Sequence, residues 1–451
     1  MSDHQNLQKE IKEKVKASKT KIVVLDDDPT GTQTVHDIPV YTKWSVEVLK
    51  EAFKANPSLF YILTNSRSLV EEDARALAKE IGINLRLASD ATNQAFAVVS
   101  RSDSTLRGHY PAEVDALLEG LEQEVDAHII VPAFFEAGRE TIDDVHYIHQ
   151  DDTYTPVNET PFAQDAVFGY KNANLKKWVE EKTAERISED EVLSISLEDL
   201  REGGAEKVAK KLLESSHKAV IVNAENYDDV YCFSLGLIEA EAKGKRYIYR
   251  TAASFVVTRA GLKKRNLLRP EELNLSAGRG ALVLVGSYVP LSTLQLNHLL
   301  DNIDITGIEL NVNDLLEEAK ANSLIQTTIE NVNDLLRRGQ NVVVYTSREL
   351  IKTRGEVKNL SIGAKVSQSL VDILRGLTAR PRYIIAKGGI TSSDLATKGL
   401  GVKKALVKGQ VLAGIPVWQL GDEAKFPQLD YVVFPGNVGT EDALSNLVQT
   451  L

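Results

Sequence analysis

Three consecutive carboxylates, Asp26-Asp27-Asp28, lead into Pro29-Thr30-Gly31-Thr32 directly after the apolar run Ile22-Val23-Val24-Leu25. Carboxylates this crowded repel one another unless cations, donors or protons compensate them. Asp28 and Asp27 are therefore candidates for handling a substrate hydroxyl or a metal-bound phosphate. The plainer reading is an exposed acidic turn, since turns favour Asp, Pro and Gly. Two further segments share the pattern. Ala97-Val98-Val99-Ser100 runs into Arg101-Ser102-Asp103-Ser104-Thr105-Leu106-Arg107-Gly108-His109, and Leu59-Phe60-Tyr61-Ile62-Leu63 runs into Thr64-Asn65-Ser66-Arg67. Arginine grips carboxylate or phosphate through two parallel hydrogen bonds. Arginines, an Asp and many hydroxyls together suit a small, anionic, polyhydroxylated substrate.

A second set lies far downstream. Tyr383-Ile384-Ile385-Ala386 leads into Lys387-Gly388-Gly389-Ile390-Thr391-Ser392-Ser393-Asp394. Val432-Val433-Phe434 leads into Pro435-Gly436-Asn437-Val438-Gly439-Thr440-Glu441, with a helix expected over Asp442 to Gln449. Ala281-Leu282-Val283-Leu284-Val285 leads into Gly286-Ser287-Tyr288-Val289-Pro290. Glycine admits a ligand close to the backbone, and a helix N-terminus offers free amides to an anion. One such loop means little, because glycine is common in strand-to-helix turns. Three of them read as a phosphate cradle. None is a Walker sequence.

These loops need a scaffold that brings strand ends together. Apolar runs without alternation are the mark of buried parallel strands. Strands are expected to begin near Ile22, Leu59, Ala97, His128, Val192, Ala219 and Tyr247, with helices over Val46 to Lys54, Val70 to Ala88, Pro111 to Gln123 and Ala205 to Glu214. Strand-helix alternation predicts an α/β fold with a parallel sheet covered on both faces, whose ligands bind beyond the carboxyl ends of the strands. The segment Glu136 to Phe168 breaks the alternation. It shows no clear period, and a loop of that length is expected to be functional or a lid. A second alternation starts near Ala281, after the charged stretch Lys263-Lys264-Arg265 and Arg269-Pro270-Glu271-Glu272, which marks the domain boundary. The polar stretch Met1 to Lys19 lacks the apolar core of a signal peptide and reads as an amphipathic helix or a loose extension.

At 451 residues the chain exceeds one ordinary core, so two domains are the default. A net charge of −11 argues against nucleic acid as a main partner. An acidic protein that binds anions must concentrate its cations locally, as Arg101 and Arg107 do. The single cysteine, Cys232, excludes an intrachain disulfide and suits a reducing cytoplasm. Within Tyr231-Cys232-Phe233 it reads as a buried structural thiol rather than a nucleophile. No apolar run reaches the roughly eighteen residues of a membrane span.

Several residues invite a stronger reading than they carry. His146 and His149, close to Asp143, Asp144, Asp151 and Asp152, look like metal ligands, but their spacing matches no strong zinc signature, and a solvated or substrate-facing loop is the preferred reading. His109 could touch the ligand or stand behind it. Arg337-Arg338 reads as a solvated helix end. Trp418, between Val417 and Gln419 and just after Pro416, reads as core rather than as a base-stacking platform.

Taken together, Asp-Asp-Pro-Thr-Gly, Ser-Asp-Ser-Thr-Leu-Arg-Gly, Lys-Gly-Gly-Ile-Thr-Ser-Ser-Asp and Pro-Gly-Asn-Val-Gly resemble the four-carbon acid sugar kinases. The motifs keep the family's order, and the resemblance covers about Lys21 to Leu451. It implies ATP-dependent phosphorylation of a small sugar acid such as a threonate, an erythronate or a 3-oxo-tetronate. It implies two α/β domains, each a largely parallel sheet flanked by helices, with the active site in the interdomain cleft. The corresponding division is an extension over 1–20, a substrate domain over 21–262, a linker over 263–280 and a nucleotide domain over 281–451. The family's acidic pair falls on Asp27 and Asp28, one of which would take the proton of the attacking hydroxyl. Its substrate contacts fall on Arg67, Arg101, Asp103, Ser104, Thr105 and Arg107. Its nucleotide contacts fall on Ser287, Gly388, Gly389, Ile390, Thr391, Gly436, Asn437 and Gly439. ATP and magnesium are the implied cofactors. Closure of the cleft would exclude water and limit ATP hydrolysis.

Departures from the pattern point to a subgroup with its own substrate. Many relatives carry Lys where this chain has Arg101 and an acidic residue where it has Ile390. Pro29 replaces a commoner apolar or aromatic residue, and Asp26 adds a charge. A homodimer is one assembly left open. Two other classes remain: an oxidoreductase on a similar hydroxy acid, and a sugar-acid or nucleotide sensor without catalysis. The first would need Gly-x-Gly-x-x-Gly after the first strand, where this chain instead places charge that repels a pyrophosphate. The second would have no need of Asp27 and Asp28.

Overall fold

The computed structural model describes residues 3–55, 57–150, 152–263, 265–275, 278–348 and 356–451. Asp151, and Lys264, Ser276 and Ala277 of the expected linker, lie outside the described residues. The chain forms two compact units, Met1–Asp27 with Lys43–Lys264, and Asp28–Thr42 with Arg265–Leu451. Strand β1 (Lys21–Asp26) belongs to the first unit and β2 (Ile38–Tyr41) to the second.

The first unit continues with β3 (Leu59–Leu63), β4 (Phe96–Arg101) and β5 (Ala127–Val131), then β6 (Arg139–Ile142), β7 (Val145–Gln150) and β8 (Thr153–Pro156), and then β9 (Val192–Ile195), β10 (Ala219–Val222) and β11 (Tyr247–Thr251). Its main sheet has the order β3-β1-β4-β11-β5-β10-β9, parallel throughout. The apolar run Ile22–Leu25 lies in β1, second in that order between β3 and β4, and every residue of the strand is buried. Its polar successors therefore emerge at the carboxyl end of the sheet, beside those of β3 and β4 in register, with Asp26 opposite Leu63 and Arg101.

Four helices expected from sequence are found within a few residues of their bounds, at Val46–Lys54, Glu71–Thr92, Ala112–Leu121 and Gly204–Glu214. Helices Glu71–Thr92 and Ala112–Leu121 cross at two glycines. A Cβ on Gly82 would stand 2.6 Å from the Leu117 carbonyl, and one on Gly120 would collide with the Lys79 carbonyl. The N-terminal stretch is a helix, Asp3–Ser18, that seals Ile11 and Val15 against Tyr231, Leu235 and Ile238.

The segment Glu136 to Phe168 is not the unstructured loop expected. Strands β6, β7 and β8 form an antiparallel sheet of their own, followed by 3-10 turns. Its strands are built from Thr, Tyr, His and Glu, so polarity conceals their alternation from a reading based on apolar period.

The second unit adds β12 (Leu282–Val285), β13 (Thr306–Leu310), β14 (Val342–Thr346), β15 (Ile384–Lys387), β16 (Lys404–Leu412), β17 (Ile415–Leu420) and β18 (Asp430–Phe434). Five parallel strands run β13-β14-β12-β15-β18, and β17, β16 and β2 follow in antiparallel pairing. The core lies among Val283, Val285, Leu299, Ile385, Val432 and Phe434. Trp418 is fully buried and donates its Nε1–H to Thr32 Oγ1 at 3.0 Å, so it is core as expected and pins the 28–42 segment to this unit. The last helix is Ala443–Thr450. Each unit is thus an α/β assembly on a largely parallel sheet, as the sequence predicts.

Candidate functional site

In the first unit the ends of β1, β3, β4 and β11 assemble one charged cluster. Arg67, in the turn after β3, places its guanidinium 3.9 Å from Asp27 Oδ1 and 3.4 Å from Asp103 Oδ1. Arg107 donates Nε–H to Asp103 Oδ2 at 2.8 Å, and the Thr105 hydroxyl donates to the same oxygen. Burial alone would push the Asp103 carboxyl up, but Arg67 and Arg107 outweigh it and hold it well below the usual carboxylate range. The Ser102 hydroxyl donates to Asp27 Oδ2. Leu106, buried in this loop, has φ +68 and Gly108 has φ +123. A left-handed leucine is costly and persists only where its surroundings impose it, as they do at many ligand clamps. A Cβ on Gly108 would meet Ser102 Oγ at 2.5 Å and both Arg250 Nη2 and Asp27 Oδ2 at 3.3 Å, so only glycine lets these groups close up.

The expected substrate residues do not all stand alike. Arg67 and Arg107 keep part of their side chains open to solvent, at 17% and 26%. Arg101 is only 5% exposed and donates from Nη1 to Asp26 Oδ1 at 3.3 Å. Ser104 and Thr105 are buried, and their loop is held from behind by Tyr170, whose hydroxyl donates to Thr105 O at 2.7 Å. His146 is completely buried rather than solvated. Its Nε2–H donates to Ser104 O at 2.8 Å while Nδ1 meets the Thr141 hydroxyl at 2.9 Å. Burial pushes it down to about 4, so it is neutral and props the loop that carries Ser104. His109 turns its Nε2 to Leu69 O at 3.1 Å and its ring edge to Phe168.

Sequence reasoning missed Arg250, Glu113 and Arg139. Arg250, buried on β11, donates to Arg107 O at 2.7 Å. Its signal was a lone cation inside the run Tyr247-Ile248-Tyr249-Arg250-Thr251. Glu113 lines a cavity of about 10 Å³ together with Asp27 and Ser66, room for roughly one water. Burial pushes its carboxyl up to about 7, with Asp27 adding to the rise and Ser66, Arg250 and Arg67 opposing it. Arg139 lies with Arg107 over the Phe162 ring, 6.0 and 4.9 Å from its centroid.

In the second unit three strand ends meet. Gly388 has φ +121, a conformation side chains rarely adopt, and a Cβ there would stand 3.1 Å from Ser287 Cβ and 3.2 Å from Thr391 Oγ1. On Gly436 a Cβ would lie 2.8 Å from Ser287 Oγ. Ser292 ties the loops together, donating to Gly436 O at 2.8 Å and lying 3.0 Å from Ser287 Oγ. The helix that begins at Gly389 has no side-chain cap at its start, so its first amides are not taken up by a capping side chain. Ile390 is 59% exposed, and Asn437 and Gly439 are exposed at the rim. Asp28 belongs to this unit. It caps the 3-10 turn Pro29–Thr32, with Oδ1 accepting from Thr30 N–H at 2.8 Å and Thr30 Oγ1–H at 2.5 Å. Its Oδ2 lies against Gly389. Beside the cradle, Arg348 donates from Nη1 to Ser287 O at 2.7 Å. It borders a cleft of about 410 Å³ lined also by Leu296, Glu309, Asn311 and Tyr345.

Glycines whose close approach only an absent Cβ permits, amides at a helix start and serine hydroxyls fit the oxyanions of a nucleotide. Among the described residues no cluster of three or more His, Cys, Asp or Glu side chains could hold a metal by itself. No helix of the described residues is long and apolar enough to cross a membrane.

Comparison with known proteins also divides the chain in two, but counts the 28–42 segment with the first part. Residues 22–259 match the sugar-binding N-terminal domain and residues 282–444 the nucleotide-binding C-terminal domain. A Salmonella typhimurium LT2 protein provisionally named a tRNA synthase has a similar structure, with TM-score 0.68 and 15% identity over 94% of this chain and 98% of that one. A Haemophilus influenzae protein of the domain family DUF1537 gives TM-score 0.63 and 18% identity over 95% and 99%. At these identities the two likenesses speak to fold alone. No curated protein matches the chain.

Proposed function

We propose, since the chain belongs to the four-carbon acid sugar kinase family, that it transfers the γ-phosphoryl group of ATP to a hydroxyl of a small sugar acid such as threonate, erythronate or a 3-oxo-tetronate. The observation that carries this reading is the Asp28 carboxylate lying against Gly389 of the glycine cradle. A base that takes the acceptor hydroxyl's proton has to stand beside the phosphate being transferred. In phosphoryl transfer, positioning and charge stabilisation do most of the work.

In this reading Arg67 and Arg107 grip the carboxylate of the sugar acid, with Arg101 and Arg250 contributing positive charge from behind. Asp103 spaces the two gripping guanidinia, and the 103–108 loop supplies hydroxyl and amide partners. Asp28 accepts the acceptor hydroxyl's proton, with Asp27 the other candidate. Ser287, Gly388, Gly389, Ile390, Thr391, Gly436, Asn437 and Gly439 receive the phosphates through backbone amides and hydroxyls. The nucleoside end extends into the cleft beside Arg348, where Glu309 and Asn311 offer partners to ribose and base. Magnesium arriving with the nucleotide would neutralise charge on its phosphates.

The test is ATP turnover by the purified chain against a panel of four-carbon sugar acids, with ADP release measured in the presence and absence of each acid. Acid-dependent ADP release with a phosphorylated product supports the kinase. Tight binding of both ligands without turnover would make the protein a sensor instead.

A further inference from the structure

One buried cation in the second unit is left unused by the function above. Lys387, the last residue of β15, has no exposed surface at all. Its Nζ donates to Pro435 O at 2.6 Å and Gly436 O at 3.2 Å, and it stands 4.0 Å from the centroid of the Phe434 ring. Among the described residues no carboxylate pairs with it. The charged and titratable groups around it are engaged elsewhere. Asp394, on the helix after Gly388, pairs with Lys398 at 2.7 Å and accepts from Ser367. Tyr431, on β18, donates its hydroxyl to Ser392 O at 2.7 Å. Asp28 lies against Gly389 and holds Thr30.

An uncompensated charge taken out of water is costly, and a fold ordinarily pairs it or neutralises it. Among the described residues no compensating charge stands beside it, yet the ammonium holds the Pro435–Gly436 turn of the glycine cradle. We propose that Lys387 is the counter-cation of the nucleotide's phosphates, reaching them through the Pro435–Gly436 turn and taking up a proton from solvent as the anion settles. This rests on the assignment of nucleotide to these loops. Burial pushes the side chain down to about 7 in the empty protein. A polyanion against Gly388, Gly389 and Gly436 favours the charged form and draws it back up. By linkage the two effects are one: nucleotide binding raises proton affinity, and protonation raises nucleotide affinity. No bond is made or broken beyond Nζ–H. Lys387 is a positioning residue, since its carbonyl partners and Phe434 cover it from the ligand.

The experiment titrates the full chain with magnesium-ATP, without sugar acid, by calorimetry at pH 8 in two buffers of different ionisation enthalpy. At that pH the metal-bound triphosphate is itself fully deprotonated. The wild type is expected to take up a substantial fraction of a proton per ATP, with affinity falling by up to about tenfold per pH unit between 7 and 9. Lys387→Met is expected to bind ATP more weakly, with no uptake and no pH slope. If its thermal melt shows it unfolded, Lys387→Arg takes its place: a guanidinium stays charged, so binding persists with no uptake. Unchanged uptake in a folded variant, or ATP binding by the wild type with no uptake at all, overturns the proposal. A wild type that binds no ATP overturns the nucleotide reading on which it rests.

Discussion

Asp28 and Gly389 lie against each other: a Cβ placed on Gly389 would be 3.4 Å from Asp28 Oδ2. Nothing in their separation along the chain announces this contact. It joins an acidic turn after the first strand to the opening of a helix near the C-terminus, inside one unit. The capping bonds from Thr30 go to Oδ1, which leaves the carboxylate oriented with Oδ2 toward the glycine.

Replacing Asp28 by Asn keeps an oxygen for Thr30 and removes the basic oxygen beside Gly389. Turnover is expected to fall by about 10²–10⁴-fold, the usual range for a general base. Binding of both ligands and the thermal melt should stay near wild type. Asp27→Asn is the parallel measurement, and near-full activity in both variants would remove this acidic turn from the chemistry.

Arg67→Ala and Arg101→Ala should both raise the KM for the sugar acid more than that for ATP, but they part company in stability. Loss of one charge-assisted grip at Arg67 should cost about 1.5–3 kcal/mol of binding. Removal of buried Arg101 breaks its buried ion pair with Asp26, and breaking a buried pair costs roughly 3–5 kcal/mol of stability. Chemical denaturation of the two variants alongside their kinetics checks this. An equal loss of ATP affinity in both would move these arginines to the nucleotide.

Gly389→Val and Gly436→Val should abolish ATP binding in calorimetry while sugar-acid binding survives. On Gly436 the new side chain would drive into Ser287 Oγ, 2.8 Å from the Cβ position, and close the cradle. If the glycines serve only tight turns, the melt falls and both ligands weaken together. An intact melt with normal ATP affinity would take these loops out of the nucleotide role.

Glu113 gives the pH dependence a definite sign. Its folded carboxyl is raised by burial to about 7 from 4.5, so between those values the folded chain holds a proton that the unfolded chain has released. Stability contributed there is lost as pH rises through the window. Glu113→Gln, which cannot ionise, should match the wild type near pH 5 and gain on it by pH 8, read from urea midpoints at both values. A difference that stays constant with pH would mean that Glu113 is ionised throughout.

The sequence alone was enough for the alternation of strand and helix, for two α/β units, and for the polar loops that follow the strands, because each of these is local. An apolar run that ends in Asp, Arg or Gly declares both a buried strand and its polar end, whatever the rest of the chain does. Tertiary structure decided what depended on distant partners. Strand β2 has no strong signal of its own, and pairing with β16 places Asp28–Thr42 in the second unit, so that the unit boundary falls between two neighbouring aspartates. His146 and Trp418 owe their roles to burial against Ser104 and Thr32, and Arg250 and Lys387 became visible as functional candidates only once their surroundings were known. The physical reason is that residue type fixes what a side chain can do, whereas its charge state, hydration and partners are set by what the fold packs around it.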